Sequence, residues 1–401
     1  MKLEAKGHFN NFLAYSIPLS QQWKTTKLKK PKFVDMFYAV PHNKEIHFVK
    51  LEDIEEPVLV FDLEAYAFIS LLDGNQTLEK AWKQHCQNYP QSDWDTAVEI
   101  MAKLQQMHLL MEGASASPSV NFESDYMERQ ERQIRFLAHF ETDDMDRWEY
   151  QRRVRDARIL ILGAGGTGSQ ALLLLAAAGF LNITIVDFDK VELSNLNRQL
   201  IYLQKDVGQI KVEAAKQRIE GFNSSVKITA LREKLDNHKR LVELMSKADI
   251  CLCCADVPPI LLRDTINTAG LDSNVPVIYG GIYADHVNIG PLVVPGKTGC
   301  FRCWNENRAQ RNPDYRHYFN YIINQEKETG TSACNVWLYG TTGCGIAMGM
   351  GGVVMDIIRF ISGCAPVRTL GYQFKMNFCT FEIEKLEWPR IETCPACGTS
   401  Q

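Results

Sequence analysis

The stretch from residue 159 to 211 constrains the fold of this chain more than any other. It opens on ILILGAGGTGS, an apolar run ending in Gly163, Gly165, Gly166 and Gly168 that leads into a second apolar run. Such a pattern forms a buried strand, a glycine-rich turn and a buried helix. The glycines let the backbone approach a phosphate, and the free N–H groups and dipole of the next helix favour its negative charge. A second strand, Leu181–Asp187, closes on Asp187 and Asp189, where a carboxylate can hold ribose hydroxyls. Asn195, Asn197, Arg198 and Gln199 follow, and Lys211 opens another helix. This alternation is that of an α/β unit with a mostly parallel, Rossmann-like sheet. A site that only held a dinucleotide has little use for an arginine and a lysine here. One that neutralises a triphosphate during its cleavage needs both.

From about Tyr126 to the C-terminus the chain resembles the adenylating domain of the ubiquitin-activating enzyme superfamily, in its bacterial ThiF/MoeB branch. The landmarks stand in family order. ERQIRFL (Glu131–Leu137) is similar to the entry helix whose arginine, here Arg132, reaches into the partner subunit's ATP site. GAGGTG resembles the phosphate loop, DFD the ribose contact, and NLNRQ with Gln209, Ile210 and Lys211 the triphosphate clamp. CCADVPPIL places Asp256 where the family has an aspartate associated with magnesium, and CFRC (300–303) and CPAC (394–397) match its zinc site. The resemblance implies an ATP-binding homodimer that forms an acyl-adenylate and releases pyrophosphate. It also implies that Arg132, Arg198, Lys211 and Asp256 carry the reaction. Gly163, Gly165, Gly166, Gly168, Asp187, Asp189, Asn195, Asn197 and Gln199 then contact the nucleotide.

The cysteines point the same way. Twelve of them in a chain of 401 residues without a secretory signal fit reduced thiols and a metal site better than disulfides. Cys300, Cys303, Cys394 and Cys397 form two CxxC pairs, each presenting two thiolates on a tight turn as tetrahedral zinc requires. Nothing in their spacing leaves an open coordination position, so the expected zinc is structural. Cys334, with Cys344 as a second candidate, stands roughly where sulfur-carrier-activating relatives place a reactive cysteine.

Composition sets the outer bounds. With 45% hydrophobic residues the chain can bury a large core and hold about two domains. A net charge of −4 gives no reason to expect nucleic acid. No run reaches the roughly 18 apolar residues of a membrane span, and Gly340–Ile361 reads as a core helix packed closely against a neighbour. A soluble, cytoplasmic protein is the expectation.

Residues 1–112 differ in character. Phe33–Ala39, Ile46–Val49 and Val58–Phe61 read as strands, and helices start after Asp62, at Thr77 and after Asp93. This suggests a small α+β, winged-helix-like domain, followed by a polar linker at 113–125 and the adenylating domain at 126–401. Such a domain resembles the peptide-recognition element of microcin- and pantocin-type maturation enzymes, where a leader peptide adds as a strand to a free sheet edge. Residues 305–332 lie where the family keeps a crossing loop. The expected function is therefore adenylation of a carboxyl or amide on a ribosomally made precursor peptide. The alternatives are activation of a sulfur carrier's Gly-Gly tail, or a peptide-recruiting protein without catalysis.

Overall fold

The structure is a computed structural model and describes residues 1–5, 30–33, 38–49, 59–107, 109–112, 120–142, 145–330 and 340–398. The chain divides into two compact units, Met1–Phe122 with Ile134–Trp148, and Glu123–Gln133 with Glu149–Gln401.

The first unit is a small α+β body. Strands β1 (Leu3–Ala5), β3 (Tyr38–His42), β4 (Glu45–Val49) and β5 (Leu59–Asp62) form an antiparallel sheet in the order β1-β5-β4-β3. β2 (Pro31–Phe33) pairs separately with β6 (Leu110–Glu112). Of the strand expected over Phe33–Ala39, residues 34–37 lie outside the described residues, and its two ends belong to different sheets, Phe33 to the pair with β6 and Tyr38–Ala39 to β3. The three helices begin where their caps predict. Asp62 accepts from the Ala65 N–H, Thr77 from Lys80 and Asp93 from Thr96, starting Leu63–Ile69, Leu78–Asn88 and Trp94–Gln106. Their apolar faces, with Phe68, Ala81, Ala97, Met101 and Leu104, close on Phe48, Leu59 and Phe61 from the sheet.

The second unit is built on an eight-stranded sheet. β7 (Arg158–Leu162), β8 (Asn182–Val186), β9 (Lys227–Leu231), β10 (Ile250–Cys253) and β11 (Val277–Tyr283) run parallel. β12 (His286–Val293), β13 (Tyr372–Asn377) and β14 (Ile383–Glu387) continue it as an antiparallel meander, in the order β14-β13-β12-β11-β10-β7-β8-β9. Helices Gly166–Ala177, Lys211–Phe222 and Gly343–Ser362 supply the core on one face, and His238–Met245 and Leu261–Asp272 on the other. Strands covered on both faces explain the near-continuous apolar runs ILIL and ICLC.

Gly343–Ser362 is long and apolar enough to cross a bilayer by length and composition, but half of it is buried in this core. It lies against Gly166–Ala177, β11 and β12. At Gly349 a Cβ would stand 2.0 Å from a Val287 methyl, so only glycine permits the approach. The 305–332 segment is largely helical, as Phe301–Arg311 and Tyr315–Thr329. Helix Ser124–Leu137 begins inside the expected linker.

Candidate active site

β7 and β10 are neighbours in the sheet, but the chain runs outward from β7 to β8 and β9 before crossing back to β10. Loops leaving the carboxyl ends of two such strands diverge and open a crevice at the switch point. The residues singled out from sequence lie on those loops: Gly163–Gly168 after β7, Asp187–Lys211 after β8, and Asp256 after β10.

The four glycines serve different purposes. Gly163 has a left-handed backbone (φ 99°), and at Gly168 a Cβ would stand 1.8 Å from the Gly163 carbonyl. Gly166 opens the helix against Ile346. Gly165, the residue before that helix, has nothing within 4 Å of where its Cβ would be, and no side chain caps the helix start. The space and the uncapped N–H groups together suit a phosphate.

The polar residues of this side hold one another. Asp187 accepts from the Ala164 N–H (2.7 Å) and the Asp189 N–H (2.8 Å), tying the end of β8 to the glycine loop. Tyr202, absent from the sequence reading, donates to the Ala164 carbonyl at 2.8 Å. Gln170, also unforeseen, donates to the Arg198 carbonyl at 2.8 Å. Asn195 accepts from the Glu192 N–H and shapes the turn. Arg198 donates through one terminal nitrogen to the Ser194 carbonyl (2.8 Å) and to Asn197 Oδ1 (2.9 Å). Lys211 is buried and its ammonium meets Asp189 at 2.9 Å. Buried Gln199 has an Oε1 without a partner.

Asp256 stands across the crevice mouth. Solvent reaches the residue, but enough protein surrounds the carboxyl that desolvation pushes it above the ordinary carboxylate range. Arg263, Lys211 and Arg198 pull it back, in that order of strength. An accessible carboxylate among three cations is suited to hold a divalent ion beside phosphate oxygens. Beneath it, Cys251, Cys253 and Cys254 are buried and burial pushes their thiols up, Cys253 to about 11, so they are poor nucleophiles.

Two further residues here escaped the sequence reading. Arg263, in the helix after Asp256, donates to the Tyr283 hydroxyl at 3.4 Å and lies 5.7 Å from the Phe301 ring centre. Glu326, fully buried, accepts from the Ile260 (3.1 Å) and Leu261 (2.7 Å) N–H groups, so the helix Tyr315–Thr329 caps the helix Leu261–Asp272. Seven residues separate Arg263 from Asp256, a spacing with no signal of its own. Glu326 caps a helix 65 residues away, which no local pattern encodes.

Arg132 stands apart from these groups. Tyr126, Gln130 and Gln133 reach inward from helix Ser124–Leu137 to the carbonyls of Gly179, Ala177 and Ala178. That seating leaves Arg132 exposed, without an ion pair among the described residues. The sulfurs of Cys300, Cys303, Cys394 and Cys397 lie within 4.8 Å of one another. Cys300–Cys303 at 3.9 Å and Cys300–Cys394 at 3.8 Å match the edge of about 3.8 Å that Zn–S bonds of about 2.3 Å give a tetrahedron. Cys303–Cys397 is shorter, at 3.3 Å. Cys344 is exposed at the start of Gly343–Ser362, and Cys334 lies outside the described residues.

The ThiF family model matches residues 130–396. The sulfur carrier protein ThiS adenylyltransferase of Escherichia coli (strain K12) is 29% identical over 258 residues, covering 62% of this chain and 89% of that protein. Among solved structures, E. coli MccB with ATP superposes with a TM-score of 0.69 at 20% identity, over 92% of this chain and 99% of that one. The microcin C7 biosynthetic enzyme MccB in complex with N-formylated MccA gives 0.68 at 19%, with the same coverage.

Proposed function

The chain belongs to the ThiF family, and on that premise we propose that it adenylates a carboxyl or amide group of a ribosomally made precursor peptide, using ATP. The observation that carries the peptide substrate is the extent of the likeness. MccB, solved in complex with N-formylated MccA, is matched over 92% of this chain, whereas the sulfur-carrier relative accounts for only 62% of it. The first unit also offers a place for a peptide, because β3 ends its sheet with five exposed residues and, among the described residues, no strand on its outer edge.

In the reaction an oxygen of the substrate attacks the α-phosphorus, the bond to the β-phosphate bridge breaks, and pyrophosphate leaves. The glycine loop and the uncapped helix start receive phosphate oxygens. Arg198 turns its free nitrogens, and Lys211 its remaining hydrogens, to the triphosphate, and Arg132 adds a cation to the site of a second subunit. Asp187 and Asp189 face the ribose. Asp256 would hold Mg²⁺, which when bound would neutralise developing charge. Cys300, Cys303, Cys394 and Cys397 would hold zinc in a structural role.

Intact-mass analysis of any short peptide found to be encoded beside the gene, after incubation with the full-length protein, ATP and Mg²⁺, tests this. A gain of AMP, or loss of water with AMP released, is expected. An unmodified peptide together with an AMP-labelled small protein ending in Gly-Gly would establish the sulfur-carrier function instead.

A further inference from the structure

We propose that Arg263 is the seat for the substrate's terminal carboxylate, a binding site distinct from the triphosphate clamp of Arg198 and Lys211. This rests on the adenylation reading above and deepens it.

Arg263 is half-buried and lacks what comparable arginines of its unit possess. Arg302 is held by Asp264 through two bonds of 2.8 and 2.9 Å, and Arg240 by Glu233 through two of 2.8 Å. Arg263 has the neutral Tyr283 hydroxyl at 3.4 Å and no carboxylate within 4.0 Å among the described residues. Its other nitrogens have no protein partner there, and none is sealed from solvent. A guanidinium partly withdrawn from water without a counter-ion is costly, and an arriving anion removes that cost.

The surroundings fit a small planar anion. The Phe301 ring lies 5.7 Å from the guanidinium carbon, and Tyr279 is 6% exposed with a buried hydroxyl that has no partner. A fork of N–H donors beside an aromatic wall can take a carboxylate in bidentate fashion. The reaction itself requires such a place. A carboxylate must approach a triphosphate that repels it, and cations already engaged with phosphate cannot hold both. Arg263 stands in the helix Leu261–Asp272, which follows directly on the loop that carries Asp256 after β10.

The test uses full-length protein saturated with the non-hydrolysable analogue AMPCPP and Mg²⁺. N-acetylglycylglycine and its C-terminal amide are titrated separately and followed by ligand-observed NMR. The wild type should bind the acid at least about tenfold more tightly than the amide, because a site built for a charged partner rejects the isostere lacking it. Arg263→Gln should abolish that preference and leave AMPCPP affinity within about twofold, and Arg263→Lys should keep part of it. Equal binding of acid and amide by the wild type, or unchanged acid binding by Arg263→Gln, overturns the proposal. Loss of AMPCPP binding by a folded Arg263→Gln also overturns it, by placing Arg263 in the nucleotide clamp. If Arg263→Gln does not fold, the acid–amide comparison in the wild type decides alone. Failure of the wild type to bind AMPCPP strikes the adenylation reading itself.

Discussion

The two sides of the crevice around Asp256 are finished to different degrees. On the β7–β8 side Asp187, Tyr202, Asn195, Gln170 and Asp189 already bond to protein, and each bond fixes a loop. On the β10–β11 side Arg263 and the Tyr279 hydroxyl have no comparable partners among the described residues. The contrast follows from the two reactants. A triphosphate presents many oxygens at set spacings and needs a rigid mould. A lone carboxylate needs one well-placed cation with no protein anion competing for it.

The sharpest way to break this comparison is at the glycine loop. Gly168→Ala drives a methyl into the Gly163 carbonyl and should cost about 4 kcal/mol or more in urea unfolding. Gly165→Ala, in open space, should cost no more than about 1 kcal/mol while weakening AMPCPP binding. If both variants bind nucleotide normally, the loop is not the phosphate mould. Next come the charges: Asp256→Ala, Arg198→Ala and Arg132→Ala should each reduce pyrophosphate release by about 10²–10³-fold at an unchanged melting temperature. Near-normal release by Asp256→Ala would remove the metal assignment.

Glu326→Ala leaves the Ile260 and Leu261 N–H groups without their acceptor and should lower unfolding free energy by about 3 kcal/mol, while Glu326→Gln, which keeps an acceptor, recovers most of it. Equal losses in the two variants would rule out the cap. The smallest effect sharpens the comparison most. Phe301 follows Cys300 directly and its N–H donates to Asn267 at 2.8 Å, so stripping metal from the cysteines should weaken N-acetylglycylglycine binding more than AMPCPP binding. Equal weakening of both would mean that the cluster supports the unit as a whole.

The same division explains what could be read from the chain. Asp187, Arg198, Lys211 and the joining of the two CxxC pairs were expected from the family resemblance, whereas the glycine turn Gly163–Gly168 and each CxxC turn are local patterns, legible because their spacing imposes their geometry. The caps Asp62, Thr77 and Asp93 were legible for the same reason. Phe33–Ala39 was misread because an apolar run shows that a strand forms but not which partner it pairs with, and the partner of Phe33 is Leu110. The 305–332 segment left a covering loop and a solvated surface helix equally open because its charged and aromatic residues lack a clean apolar stripe. Glu326, Tyr202 and Arg263 act across long separations, through contacts that exist only after the sheet has formed.

The two peptide groups that flank Ala164 are both gripped, one through the Ala164 N–H by Asp187 and the next through the Ala164 carbonyl by Tyr202. A loop so held has no rotational freedom to surrender when a ligand arrives, so the entropic penalty of association falls on the nucleotide alone. Loosening either grip should therefore show first as a changed balance of heat and entropy on binding, before any change in the bound geometry.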